Sequence, residues 1–161
     1  MIRRRTVAAL SVALLALAAN GCGPRVDLKQ SLQVTDVSSG WFDAGIQAGK
    51  NKQVPSVTFK LKKNADVKLS SVSLNLAFIL AGATDHIDDV YVQSVPFEST
   101  ETKPITVRTQ WGYTGDPPQT RAEMLQNSHF QDVEVQIFGK QSSSQWVELQ
   151  RVKVTRQLVT Q

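Results

Sequence analysis

Three groups of residues have types and spacing that could do chemistry. The densest is Asp85-His86-Ile87-Asp88-Asp89, three carboxylates and an imidazole within five positions. Oxygen-rich loops of this kind favour hard cations, but a calcium site needs six to eight oxygens and a turn glycine at fixed spacing, and the segment lacks that pattern. Solvated turn acids are the simpler reading. The second group is the histidines, His86 and His129, which stand 43 positions apart. Zinc would need three or four converging ligands, and the chain has a single cysteine, Cys22. No metal site and no cofactor is therefore expected. The third group is aromatic: Trp41-Phe42 in a Gly-, Ser- and Asn-containing stretch from Ser38 to Lys52 expected to be a loop, and Trp111 and Tyr113 just before a Pro-Pro turn.

Catalytic signatures do not occur. The sequence contains no Gly-x-Ser-x-Gly, no Gly-x-Gly-x-x-Gly, no phosphate-binding Gly-x-x-x-x-Gly-Lys-Ser/Thr and no His-Glu-x-x-His. With two histidines, a Ser-His-Asp triad could be assembled only by assertion. The expectation is a protein that is not an enzyme. Its aromatic residues have two readings. Trp41, Phe42, Trp111 and Tyr113 are candidate binding residues on loops, where large rigid rings dominate recognition. Alternatively, and more commonly in small β domains, they plug the ends of a sandwich, as Trp146 is expected to do from within its strand.

Cys22 differs from the other candidates because of what precedes it. Arg3, Arg4 and Arg5 form a basic start, Val7 to Ala19 form an apolar run of 13 residues, and Gly21 adjoins the thiol. A helix needs ~20 apolar residues to span a bilayer, so this run suits an export signal better than a permanent anchor. The segment Leu17-Ala18-Ala19-Asn20-Gly21-Cys22 resembles the bacterial lipoprotein signal. That resemblance implies cleavage between Gly21 and Cys22, a diacylglyceryl thioether on the Cys22 sulfur, and acylation of the new amino group. Two or more acyl chains, at about 0.8 kcal/mol per buried CH₂, hold a protein on a membrane. In lipoproteins of double-membraned bacteria an Asp after the cysteine often retains the protein at the inner membrane. Gly23 stands there, which implies the periplasmic face of the outer membrane.

Charge is consistent with that destination. The whole chain is +4, but setting aside Arg3, Arg4 and Arg5 from the 18 basic residues leaves 15 against 14 acidic ones. No basic excess remains for a nucleic-acid partner. The predicted organisation is a signal peptide over 1–21, a lipidated tether over 22–30, and one domain over 31–161, long enough for a core without disulfides.

That domain must position the candidate residues, and its pattern is period-2 alternation throughout. Seven runs predict strands: Ser31 to Val37, Val54 to Lys63, Leu69 to Leu80, Asp88 to Phe97, Pro104 to Tyr113, Asp132 to Gly139 and Gln145 to Leu158. In the fourth run the phase shifts between Val92 and Val95, and Pro96 suits an edge, so a bulged edge strand is expected there. A second bulge is expected near Gln150 and Arg151. One helix is predicted near 120–127, where Thr120-Arg121-Ala122-Glu123 has the form of a capping box. Together these predict an all-β, antiparallel two-sheet, immunoglobulin-like sandwich. The layout resembles the small tethered β-sandwich domains of bacterial lipoproteins such as the FxLYD type, over roughly 30–161. By that analogy the protein is a binding module facing an envelope partner. Two alternatives remain open: a carbohydrate or peptidoglycan binder using Trp41, Phe42, Trp111 or Tyr113, and a metal-dependent enzyme or metal carrier at Asp85 to Asp89.

Overall fold

The computed structural model describes residues 26–160; the expected export signal, Cys22 and most of the expected tether lie outside them. The chain enters through a short helix, α1 (Leu28–Ser31), capped by the Asp27 carboxylate, which accepts from the Lys29 and Gln30 amides. Leu28 belongs to the hydrophobic core, so the packed domain begins before Ser31. Nine strands follow: β1 (Leu32–Gln47), β2 (Lys50–Lys63), β3 (Ser71–Leu80), β4 (His86–Pro96), β5 (Ile105–Arg108), β6 (Tyr113–Gly115), β7 (Val133–Lys140), β8 (Val147–Lys153) and β9 (Leu158–Val159). Helix α2 (Arg121–Gln126) lies between β6 and β7.

The strands form two sheets, ordered β5-β2-β1-β9, with β6 also on β2, and β4-β3-β7-β8. All pairings are antiparallel except β1 with β9. The hairpins β1–β2 and β3–β4 lie in different sheets, and β7–β8 returns beside β3. This is the connectivity of an immunoglobulin-like sandwich, with β1, β2 and β5 in one sheet and β4, β3, β7 and β8 in the places of C′, C, F and G.

Alternation builds the core. Val57, Phe59 and Leu61 from β2 face Leu74, Leu76 and Phe78 from β3 and Val133, Val135 and Ile137 from β7, all 0 % exposed. Each such side chain contributes ~1.5–3 kcal/mol by leaving water. On β3 the intervening Ser71, Ser73 and Asn75 look outward and are half-buried, as their polarity requires. The strand then loses its alternation, because Ala77 and Ile79 are buried as well.

Several boundaries differ from the sequence expectation. The stretch 38–52 is not a loop: β1 and β2 continue through it as a hairpin closed at Gln47↔Lys50. Ala48 and Gly49 both have positive φ, 50° and 80°, which is the backbone a two-residue turn needs to match strand twist. The fifth run splits into β5 and β6 around Thr109–Gly112. The seventh splits into β8 and β9, since the chain leaves one sheet after Lys153 and crosses to the other. The expected edge bulge in β4 is present, with Ser73 facing both Gln93 and Ser94. In β8 the extra residue is Leu149, one position before the expected site. Helix α2 has the full capping box, with Thr120 and Glu123 each bonding the other's backbone N–H.

The two ends of the sandwich have different neighbours. At the entry end, the Asn64 amide donates to Ser31 O, Lys63 Nζ donates to Leu69 O and the Phe97 amide donates to Ser70 O. At the far end lie the β1–β2 hairpin tip, α2, and the starts of β4 and β7.

Candidate functional site

At the far end the structure brings three of the four candidate aromatic residues together. Trp41 and Tyr113 occupy strands β1 and β6, not loops, and Trp111 lies just before β6. Trp41 is 0 % exposed. Its ring meets Phe130 edge-on at 4.6 Å and lies 5.6 Å from Tyr113, which in turn lies 4.4 Å from Phe130 and 5.1 Å from Trp111. Tilted and edge-on contacts of this kind are the stable arrangement of aromatic quadrupoles. Trp41 therefore presents no face to a ligand and closes the end of the core. Phe42, next along β1, faces the other way, with the Arg108 guanidinium stacked 3.6 Å over its ring.

The cluster is held by backbone and side-chain bonds. The Gln131 amide donates to Tyr113 Oη at 3.0 Å. Gln53 Nε2, on β2, donates to Arg121 O, and Arg121 Nε contacts Asp43 at 3.0 Å, so β1 and β2 both clamp α2. Arg156 donates to Phe130 O and pairs with Asp132, and the hydrogen bond to Asp132 raises the Arg156 pKa. Among the described residues, the Trp41 indole N–H and Gln53 Oε1 are buried without hydrogen-bond partners.

Outside this plug lies a shallow cleft of about 240 Å³ lined by Tyr113, Phe130, Met124, Asn127, His129 and Gln119, with Thr114 at its rim. His129 is its only imidazole, and no carboxylate lines it. The cleft offers contact and hydrogen bonds.

The acidic segment is used structurally. Asp88 Oδ2 accepts from the Gln110 amide at 2.9 Å, and Asp88 Oδ1 from the Asp89 amide. Asp89 binds His86 Nδ1 at 2.9 Å through one oxygen and Asn75 Nδ2 at 3.0 Å through the other. Among the described residues no group of three or more His, Cys, Asp or Glu is placed to hold a metal ion.

One feature of the surface escaped the sequence pattern. Trp146 does not fill an end of the sandwich. It is 40 % exposed, just ahead of β8, and meets Tyr91, 54 % exposed on β4, edge-on at 5.9 Å. Both lie on the outer face of the β4-β3-β7-β8 sheet. Lys140 Nζ sits 4.9 Å over the Trp146 ring. Beside the pair, toward the entry end, is a concavity of about 390 Å³. The two rings are 55 positions apart in the chain, and only the sheet order joins them.

Among known proteins, the chain matches no family model, no curated protein and no solved structure.

Proposed function

We propose that the protein is a lipid-anchored, non-catalytic binding module of the bacterial cell envelope, held at the periplasmic face of the outer membrane. One observation carries the reading: Cys22, the sole thiol, stands three residues after an export-type apolar run and six residues before Leu28, the first core residue among those described. Six residues reach at most ~20 Å, so a lipid on Cys22 keeps the entry end of the sandwich against the bilayer and points the far end away. The rigid sandwich then presents the α2 cleft and the β1–β2 hairpin to an envelope partner. Ile46, 66 % exposed near the hairpin tip, is the most exposed large apolar residue there. Membrane tethering raises the local concentration of such a module for partners in the same compartment, so modest contacts suffice.

The test is Cys22→Ala in the producing bacterium. The account predicts that the protein leaves the membrane fraction and that a partner captured by in-cell crosslinking to the native protein is lost with it. Unchanged fractionation of the variant would reject lipid anchoring.

A further inference from the structure

The concavity beside Tyr91 and Trp146 is lined mostly by polar side chains. Its floor is a row across three strands: Gln93 and Ser94 on β4, Ser73 on β3 and Lys140 on β7, which pairs directly with Ser73. The β4 bulge makes the hollow, because two residues oppose Ser73 and Ser94 turns to φ 54°. Bulges commonly re-aim side chains next to binding sites. Lys68, Ser70 and Ser71 close one side, and Gln141 and Ser142 the other.

Two properties select the ligand. First, the lining carries positive charge without a compensating carboxylate: its side chains are two lysines, which only donate, with serines, glutamines, one tyrosine and Leu69, and no Asp or Glu. Among the described residues neither Lys68 nor Lys140 is in an ion pair. A phosphate accepts from both ammonium groups through charge-assisted bonds and compensates their charge, which a neutral sugar cannot do. Second, Tyr91 supplies an exposed ring beside the cations. Trp146 braces both Tyr91 and Lys140, fixing an amphipathic wall against which a carbon skeleton can lie.

We infer that this concavity binds a phosphate ester of a small polyol, with Lys68 and Lys140 on the phosphate and Tyr91 against the carbon skeleton. That chemistry belongs equally to a glycerophospholipid headgroup and to a soluble sugar phosphate. The site lies toward the entry end, where Leu69 and Ser70 meet Lys63 and Phe97. The headgroup source rests on the lipid-anchored reading; the phosphate chemistry does not.

The experiment uses the mature chain with Cys22→Ser, whose domain contains its own complete core. Glycerol 3-phosphate is titrated while backbone amide shifts are followed, and cosedimentation is measured with vesicles of phosphatidylglycerol or phosphatidylcholine. Shifts at Ser73, Gln93 and Lys140 are expected. The double variant Lys68→Gln/Lys140→Gln should weaken binding at least ~10-fold, since a charge-assisted contact carries about that factor. Lys50→Gln, at the far end, should leave it unchanged. Lysine-dependent sedimentation with phosphatidylglycerol alone assigns the headgroup as the source, and glycerol 3-phosphate binding without vesicle binding assigns a soluble ester. Absence of shifts, equal loss in Lys50→Gln, full binding by the folded double variant, or the same shifts with glucose would each overturn the inference. Fractionation of Cys22→Ala reports separately on the anchor and leaves the glycerol 3-phosphate result untouched.

Discussion

Trp41→Ala distinguishes a plug from a binding platform. Trp41 is fully buried, its ring edge-on to Phe130 at 4.6 Å and 5.6 Å from Tyr113. Truncation removes the largest side chain of the core and leaves a void that Phe130 and Tyr113 cannot fill while Arg156 and Gln131 hold them in place. Such truncations cost about 3–5 kcal/mol, against a total of about 5–15 for a domain. In a domain of this size that lowers Tm by roughly 10–20 °C. Urea unfolding followed by far-ultraviolet circular dichroism measures it without depending on the deleted fluorophore. Trp111→Ala, at a half-buried ring on the cluster's edge, should cost about half as much or less. A loss below ~1 kcal/mol for Trp41→Ala, with the spectrum unchanged, would refute the assignment of Trp41 as the closure of the core.

Two further outcomes follow from local geometry. A Cβ on Gly40 would stand 2.8 Å from Gln157 O and also collide with the Val159 side chain, so Gly40→Ala should detach β9. Hydrogen exchange at Leu158 and Val159 would then accelerate well beyond the wild-type rate while β2 and β3 amides stay protected; unchanged protection would contradict the close approach. The Glu123 carboxyl is held below its ordinary 4.5 by the Thr120 backbone N–H and hydroxyl. A lowered folded-state pKa gives stability that is full above the ordinary value and is lost as pH falls through the folded one. Glu123→Ala should therefore unfold at lower urea than wild type at pH 7, with the gap closing as pH falls through the lowered Glu123 pKa. A gap of the same size in acid would count against the capping box as its source.

Period-2 alternation made most of the sheet legible, because β2, β3 and β7 each bury one face and the polar face stays wet. The bulge in β4 was readable from the shift between Val92 and Val95, and α2 from Thr120 and Glu123, since both signals are local. The far half of β1 was not readable. Gly40, Asp43 and Gly45 have poor strand propensity, and pairing with β2 across two register shifts overrides it. Strand β9 is two residues long and exists because Gly40 leaves room for it, a relation across more than a hundred positions. The sequence singled out Trp41, Phe42, Trp111 and Tyr113 as loop aromatics, but not that three of them meet across strands while Phe42 faces away, and Phe130, which completes the cluster, sits in an unpatterned connection. The phosphate-type concavity was invisible for a similar reason: Ser73, Gln93 and Lys140 form a row only once the strand order is known.

The lipid anchor on Cys22 decides where this module works, and the intact mass of the protein purified from membranes of its own bacterium reads it out. The account predicts a chain beginning at Cys22 and carrying a diacylglyceryl group with a further acyl chain on its amino terminus. An unmodified chain, or one beginning elsewhere, would contradict it.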